Sequence, residues 1–401
     1  MNGKIVLQSS RAKSFDLLVY IAIIAAMYVS ATPINAIYYV QSVMFFLLVA
    51  SIVFFRSRKY RLKVNRRTLL FLGAFCGLII LTGIANLDVD ITFYMGLIIK
   101  IVATYFLMEG IPYEKYKTAY INLFTVLGIY SVLLTLFFNI FRNLVNNLTP
   151  LYVENFAYVR WRSFFNIYFI WDLYARHGVV RNSACFREPG VFGSFVSIAL
   201  MIKILDIKKK KPNKKDFFVI LVLVIATCST LSTTAIFCLI LCAAVYFLDK
   251  SINAKKFIII FIGSSVSVFY LLRYGNLLFS KFDSTNTSYI AFYERIEGIG
   301  AMVQSWLINP LLGAGYTKYY ELVTEGANTI SFLVILGEFG PFLLVLMLYA
   351  LLKFIKEQRC SIFITLCLII QFCIILNTQY LILMPLILIF MFYGISRQMN
   401  F

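Results

Sequence analysis

Apolar runs of about bilayer-crossing length recur along almost the whole of this 401-residue sequence, separated by short charged segments. A transmembrane helix needs about 20 mostly apolar residues. The chain is 61% hydrophobic and 14% charged, whereas a soluble domain has about 45–50% apolar and about 25% charged residues. These features predict an integral membrane protein and exclude a soluble globular domain.

The apolar runs predict an all-α, polytopic membrane helix bundle of about twelve transmembrane helices, forming one membrane domain over residues 1–401. The weakest division lies within 216–249, because TCSTLSTT (Thr227 to Thr234) is its only polar break and fits either a hairpin or an unwound helix. An even number of spans depends on that break. The predicted spans are about 15–32, 34–55, 68–86, 91–109, 118–140, 190–206, 216–229, 231–249, 257–273, 328–352, 361–376 and 381–395.

The basic residues predict the orientation, because short loops rich in Lys and Arg stay in the cytoplasm. With the N-terminus inside, 25 of the 37 Lys and Arg fall in cytoplasmic segments, ten fall outside, and Lys100 and Lys203 fall within spans. Both termini are then cytoplasmic. The formal charge of +19 is explained by this topology and by anionic lipid headgroups, so the sequence does not indicate nucleic-acid binding.

Two predicted extracytoplasmic loops, about 142–189 and about 274–327, are long enough to be functional. The first is rich in aromatic residues broken by Arg160, Arg162, Arg176 and Arg181, and it also carries the only histidine, His177. Such a segment can form an amphipathic helix in the membrane interface. It serves either as an aromatic belt that anchors the bundle or as a platform for a lipid-linked sugar.

The second loop predicts a short amphipathic helix around Arg295 to Leu307, ended by Asn309-Pro310. Gly313-x-Gly315 follows, and this pattern permits a tight turn or a close backbone approach to a ligand. An arginine leading into W-x-x-N-P-x-x-G-x-G is more distinctive than the two glycines alone.

The ten external basic residues lie in these two loops or directly before the second one, and eight of them are arginine. Arginine binds phosphate oxygens with a planar, bidentate fork. The arginines therefore predict phosphate binding, with headgroup contact or salt bridges to Glu188, Glu294 or Glu297 as the alternative. A lone histidine and unpaired cysteines predict no metal site. Lys100 and Glu338 are ionisable residues within spans and are functional candidates for that reason.

The chain resembles the Wzy-type O-antigen and capsular polysaccharide polymerases, which are related to O-antigen ligases. Three features carry the resemblance: about twelve spans; an arginine followed by a Glu-Pro turn that enters a span; and an arginine followed by a Trp…Asn-Pro…Gly-x-Gly segment. The residues are Arg181, Glu188 and Pro189, and then Arg295, Trp306, Asn309, Pro310, Gly313 and Gly315.

The resemblance implies a GT-C-like fold and a metal-independent, inverting glycosyltransferase in the bacterial inner membrane, with no cofactor. Its substrates would be undecaprenyl-diphosphate-linked glycan donor and acceptor, used on the periplasmic face, with membrane lipids and a chain-length regulator as further partners. The implied catalytic residues are Arg181, Arg187, Glu188 and Arg295, although Arg187 stands where the family's motif is usually not basic. The implied substrate-binding residues are Arg160, Arg162, His177, Trp306, Asn309, Gly313, Gly315, Lys318 and Asn328.

Glu188 is predicted either to accept the acceptor's proton as general base or to hold Arg187 or Arg295 in place. Two other functions fit the same topology. An O-antigen ligase would carry a histidine where this chain reads EGANTI, Glu325 to Ile330. A lipid-linked oligosaccharide flippase would show internal repeats and charged residues distributed within its spans, and the sequence shows no repeat.

Overall fold

The structure is a computed structural model that describes residues 2–58, 65–152, 160–171, 179–209, 212–248, 287–323 and 330–396. Most of these residues are helical. The first half contains α1 Asn2–Val29, α2 Pro33–Ile37, α3 Tyr39–Arg58, α4 Arg66–Ala85, α5 Ile91–Gly110, α6 Tyr113–Ile140, α7 Arg142–Asn146, β1 Thr149–Tyr152, β2 Arg160–Phe164 and β3 Tyr168–Trp171. The second half contains α8 Pro189–Lys209, α9 Lys214–Ser229, α10 Thr233–Leu248, α11 Thr287–Ile308, α12 Tyr316–Leu322, α13 Ser331–Glu357, α14 Ile362–Thr378 and α15 Pro385–Ser396.

The fold is a helical membrane bundle. Among the described residues, six helices are long and apolar enough to cross a bilayer: Tyr39–Ser57, Arg66–Ala85, Ile91–Gly110, Tyr113–Ile140, Pro189–Lys209 and Ser331–Glu357. Shorter apolar helices, including α10, α14 and α15, pack with them. Where the structure describes them, the predicted spans fall mainly on helix, and 257–273 lies outside the described residues.

Helix α8 is the central helix of the bundle. Its most apolar stretch is 94% buried, against 28–56% for the other five long helices. It packs against α6, α9 and α10, so protein covers it on several sides. The residues just before Pro189 are therefore held at the middle of one end of the bundle.

Three breaks divide the predicted helical segments. The predicted span 34–55 is two helices, α2 and α3, separated at Tyr38. The polar TCSTLSTT segment ends α9 and precedes α10, and Leu231 has a positive φ of 50° there. Within α13, Gly340 leaves helical geometry with φ of 79° and is followed by Pro341, the residue that most often breaks a helix.

The aromatic segment of the first loop forms a small sheet, so the predicted amphipathic helix is wrong for residues 160–171. Strands β1, β2 and β3 pair antiparallel in that order, with Trp161 opposite Trp171. In β2 the exposed Arg160 is followed by the buried Trp161, and neighbouring residues of a strand point to opposite faces. Phe165 and Asn166 have positive φ values of 49° and 57°, which closes the hairpin between β2 and β3.

The predicted helix of the second loop is confirmed. Helix α11 runs from Thr287 to Ile308 and stops directly before Asn309-Pro310. The predicted start at Arg295 lies inside this helix, because the apolar and polar residues before it continue the helical pattern. Helix α11 packs along α13, so the second loop is attached to the bundle.

Candidate functional site

Arg187 and Glu188 lie at the start of the central helix α8. The amide of Arg187 donates a 3.0 Å hydrogen bond to the carbonyl of Ala31, just beyond α1. Its Nε atom is buried, lies 4.0 Å from Oε1 of Glu188, and has no hydrogen-bond acceptor among the described residues. The Arg187 side chain keeps 31% of its surface exposed. The guanidinium group of Arg187 therefore keeps one unused donor among the described residues and some open surface.

Gln379 holds the other side of Glu188, and sequence analysis did not identify it. Its Nε2 atom lies 3.4 Å from Oε2 of Glu188 and donates to it. A Cβ at Gly190 would come within 2.7 Å of the same Nε2 atom, so a larger residue there would displace the amide. The only sequence signal for Gln379 is its place at the polar end of an apolar run.

The connection after α14 joins two parts of the bundle. Ser331 donates its hydroxyl to the carbonyl of Gln379 at 2.8 Å, and the amide of Leu381 donates to the same hydroxyl at 3.2 Å. Tyr380 packs against a buried cluster that includes Met302 and Tyr319. The segment that contacts Glu188 therefore also contacts α11 and α12 of the second loop.

The side chain of Arg181 donates hydrogen bonds to the backbone that connects α9 and α10. Its Nε donates to the carbonyl of Thr230 at 3.1 Å, and its Nη2 donates to the carbonyl of Leu231 at 2.8 Å. Asn182 adds a 2.8 Å hydrogen bond to the hydroxyl of Ser229. These contacts fix the 230–231 backbone, where helix carbonyls would otherwise lack partners.

The sheet contacts the site through Trp161. The indole Nε1 donates to the carbonyl of Arg187 at 2.8 Å. Arg162 donates to the carbonyl of Asn146 at 2.8 Å, so this arginine ties the sheet to the end of α7. Arg160 lies on the exposed side of β2.

The Trp-x-x-Asn-Pro segment after α11 forms a compact turn. Trp306 donates its indole N–H to the carbonyl of Pro310 at 2.9 Å. The side-chain oxygen of Asn309 accepts from the amide of Leu312 at 3.2 Å, and its carbonyl accepts from the amide of Gly313 at 2.7 Å. In this structure Trp306 and Asn309 hold the turn in shape.

The two glycines of the turn sit against the break in α13. The amides of Ala314 and Gly315 donate to the carbonyls of Gly337 and Glu338, at 2.7 and 3.0 Å. Gly313 has a φ of 72°, and a Cβ there would come within 2.5 Å of the backbone of Glu338. The predicted close approach of the glycines is therefore to the protein's own backbone.

Asp88, between α4 and α5, anchors the end of the same segment and was not identified from sequence. Its carboxylate accepts the amide of Thr317 at 2.9 Å, the hydroxyl of Thr317, and the hydroxyl of Tyr94 at 3.0 Å. Partial burial raises the pKa of Asp88, but the donors from Thr317, Asp90 and Tyr94 outweigh it and hold this pKa below its ordinary value.

Lys100 and Glu338, both predicted within spans, are buried near one another. The ammonium of Lys100 lies 5.0 Å from the ring centre of Tyr39 and interacts electrostatically with Glu338. Glu338 is fully buried, and neither carboxylate oxygen has a hydrogen-bond donor in the described part of the chain. Intramembrane ionisable groups of this kind are functional candidates.

The structure describes only two of the four remaining candidate site residues. Arg295 lies within α11, and Lys318 is exposed on α12. His177 and Asn328 lie outside the described residues. Across the described ranges, no three His, Cys, Asp or Glu side chains form a group that could hold a metal ion, and the expectation of a metal-free reaction stays a prediction.

The fold and these contacts define a helical membrane protein with a polar site at one end of its central helix. That site is built around Arg187, Glu188 and Gln379. The sequence matches no protein-family model and no curated protein.

Proposed function

We propose that the protein is a glycosyltransferase that joins undecaprenyl-diphosphate-linked oligosaccharide repeat units into a polysaccharide. The observation that carries this proposal is the guanidinium of Arg187, which lies at the start of a buried helix and has a buried Nε atom without an acceptor in the described residues. A helix N-terminus also favours negative charge. A diphosphate is the anion that suits this position.

The proposed reaction is a single displacement with inversion. A hydroxyl at the non-reducing end of one repeat unit attacks the anomeric carbon of the growing chain, and the bond from that carbon to the diphosphate oxygen breaks. The departing electron pair stays on undecaprenyl diphosphate. Arg187 stabilises this developing charge, as fixed cationic donors do in other transfer reactions. The enzyme otherwise orients the two substrates.

Two roles for Glu188 fit its contacts. Its Oε1 atom is 4.0 Å from Arg187, which fits a carboxylate that holds the arginine in place. Its side chain is 33% exposed, so it can also reach the acceptor hydroxyl and take its proton. Gln379 restrains Oε2 in either role.

The second loop supplies the other half of the proposed site. Helix α11 carries Arg295, and the turn from Asn309 to Gly315 fixes the end of that helix against α13. We propose that Arg295 and the exposed Lys318 meet the second phosphate or the acceptor glycan. Arg181, already bonded to two carbonyls, contributes positive charge and holds the backbone near the site.

The cellular setting is part of the same proposal. The protein would have about twelve spans in a GT-C-like arrangement, lie in the bacterial inner membrane with both termini in the cytoplasm, and carry its site on the periplasmic face. The unequal distribution of Lys and Arg along the sequence supports this orientation. Membrane lipids and a chain-length regulator would be its other partners.

The direct test uses purified protein in lipid nanodiscs with a synthetic lipid-linked repeat unit. We expect Arg187→Ala to lower kcat about 100-fold, the usual cost of removing one charge-stabilising donor. The Arg187→Lys variant should recover little of this loss, because lysine keeps the positive charge but lacks the planar guanidinium that binds two phosphate oxygens at once. The matched control is Arg142→Ala, which removes an exposed arginine at the start of α7. Equal rates for all three variants and the unchanged protein would remove Arg187 from the site.

A cellular test separates the three candidate functions. In a strain that lacks the protein, a surface glycan carrying one repeat unit but no ladder indicates a polymerase. Loss of all repeat units from the core indicates a ligase or a flippase instead.

One observation favours the flippase alternative. The break at Gly340 in α13 and the buried pair of Lys100 and Glu338 are the kind of broken helix and intramembrane charge found in transporters. However, the carbonyls of Gly337 and Glu338 next to the break accept hydrogen bonds from the 314–315 amides. Because these two carbonyls already bind the second loop, the break in α13 does not by itself indicate a transport site. The polymerase is therefore the better supported function.

A further inference from the structure

The tip of the hairpin between β2 and β3 presents apolar side chains outward. The tip comprises residues 165–167. Phe165 is 81% exposed and Ile167 is 44% exposed. Contact between these two apolar side chains and water is unfavourable, so an apolar environment around the tip would stabilise it.

The depth of the tip follows from its contacts with two helices. The hydroxyl of Tyr130 in α6 donates to the carbonyl of Ile167 at 2.8 Å, and the hydroxyl of Tyr28 in α1 donates to the carbonyl of Asn166 at 3.3 Å. Tyr130 lies about ten residues, or about 15 Å, before the end of α6 at Ile140. The hairpin tip therefore lies well inside the length of α6 and level with the end of α1, which is at Val29.

The surface of α6 beyond that depth is itself apolar and exposed. Its outward side chains past Tyr130 are Leu133, Leu136, Phe137 and Ile140, and α6 is one of the helices apolar enough to cross a bilayer. An exposed apolar stripe on a spanning helix faces lipid. The hairpin tip contacts α6 at Tyr130, three residues before the first member of this stripe.

Several polar groups at the tip are paired within the protein. The amide of Asn166 donates to the hydroxyl of Ser163 at 3.0 Å, and that hydroxyl donates to Oδ1 of Asn166 at 2.8 Å. The amide of Ile167 donates to the carbonyl of Phe164 at 3.1 Å, and the two tyrosines satisfy the carbonyls of Asn166 and Ile167. Pairing of this kind lowers the cost of placing backbone groups in hydrocarbon.

We propose that this hairpin tip is inserted among the phospholipid acyl chains of the adjacent leaflet, with Phe165 as the side chain that reaches furthest into lipid. The sheet is then held between the membrane and the site, since Trp161 of β2 contacts Arg187. The proposal depends on the hairpin and its contacts with α1 and α6, so it stands whichever reaction the protein carries out.

The test places an environment-sensitive fluorescent amino acid at position 165, or at position 160 as the matched control. Both side chains are exposed and belong to the same hairpin, but Arg160 lies at the opposite end of β2. The full-length protein is reconstituted in phosphatidylcholine vesicles that contain phospholipid with a nitroxide on its acyl chain. These vesicles contain no isoprenoid lipid.

The proposal predicts blue-shifted emission and strong nitroxide quenching for the probe at 165, with red-shifted emission and little quenching at 160. If the probe at 165 is no more quenched than the probe at 160, the tip is in water and the proposal is wrong. Circular dichroism of both labelled proteins shows whether the helices have formed.

Discussion

The indole N–H of Trp161 donates a 2.8 Å hydrogen bond to the main-chain carbonyl of Arg187, 26 residues further along the chain. The same peptide segment is bonded on its other side, because the amide of Arg187 donates to Ala31. The sheet and α1 therefore fix the backbone from which the Arg187 side chain extends. The geometry of the proposed diphosphate site depends on this pair of contacts.

Trp161→Phe removes the indole donor and keeps an aromatic ring. We expect the loss of one hydrogen bond to cost about 1 kcal/mol and to lower kcat about fivefold, with helix content unchanged. The measurement is the rate of polymer formation by purified protein, alongside circular dichroism. Tyr349→Phe, which removes one exposed hydroxyl from α13, should leave the rate unchanged. A Trp161→Phe rate equal to that of the unchanged protein would contradict the positioning role.

Arg295 is expected to act through the bidentate geometry of its guanidinium. Arg295→Ala should abolish chain extension while the protein remains inserted, and Arg295→Lys should rescue poorly because a point charge replaces a planar fork. Polymer length on gels reports the outcome, and Arg142→Ala and Arg142→Lys are the paired controls. Full extension by the lysine variant would reject the bidentate clamp, and full extension by the alanine variant would take Arg295 out of the site.

Asp88→Asn should loosen the attachment of the 309–317 turn. The variant places an amide N–H₂ opposite the amide of Thr317 and the hydroxyl of Tyr94, which now donate to the carboxylate. A lost or clashing pair of this kind costs about 1–3 kcal/mol. Asp16→Asn, which breaks only an exposed salt bridge to Lys115, should cost much less. Thermal unfolding in detergent compares the two variants.

The stability that Asp88 contributes should also depend on pH. Its pKa is lowered in the folded protein, so its contribution is present above the unfolded pKa and is lost as the pH falls through the lower folded value. The difference in unfolding temperature between the unchanged protein and Asp88→Asn should stay constant from about pH 5 to 8 and shrink below about pH 4. A difference that grows on acidification would contradict this role.

Cys185, between β3 and α8, should be inert. It is buried and free, and burial raises the pKa of its thiol from 9.0 to about 12. At pH 8 its thiolate fraction should be about a thousandfold below that of an ordinary cysteine. In intact spheroplasts a membrane-impermeant maleimide should label Arg142→Cys and leave the unchanged protein unlabelled. A label that peptide mapping places on Cys185 would contradict its burial, and failure to label position 142 in Arg142→Cys would contradict the predicted orientation.

The reaction should need no metal ion. We expect purified protein to polymerise lipid-linked repeat units in excess EDTA, because arginines supply the positive charge that a divalent cation supplies in other transferases. If chelation stops polymer formation and magnesium or manganese restores it, the arginine mechanism is wrong. Glu188 with Glu294 or Glu297 would then be the first ligands to test.

Local sequence patterns are sufficient to predict the class of protein and most of its helices. Each of these features depends on residues close together in the chain: about 20 apolar residues are sufficient to predict a membrane helix, and Asn309-Pro310 is sufficient to end α11. The helix predicted from Arg295 was found for this reason. The polar TCSTLSTT break likewise marked the end of α9, although only the structure showed two helices there.

The tertiary structure alone decided which residues meet. Gln379 contacts Glu188 across 191 positions, and Asp88 contacts Thr317 across 229. No local pattern records such contacts, because they depend on how helices pack and not on their periodicity. The prediction of an interfacial helix after Arg160 is wrong for the same reason. The aromatic residues of this segment suit a helix or a strand. Pairing with β1 and contacts with Tyr28 and Tyr130 select the strand.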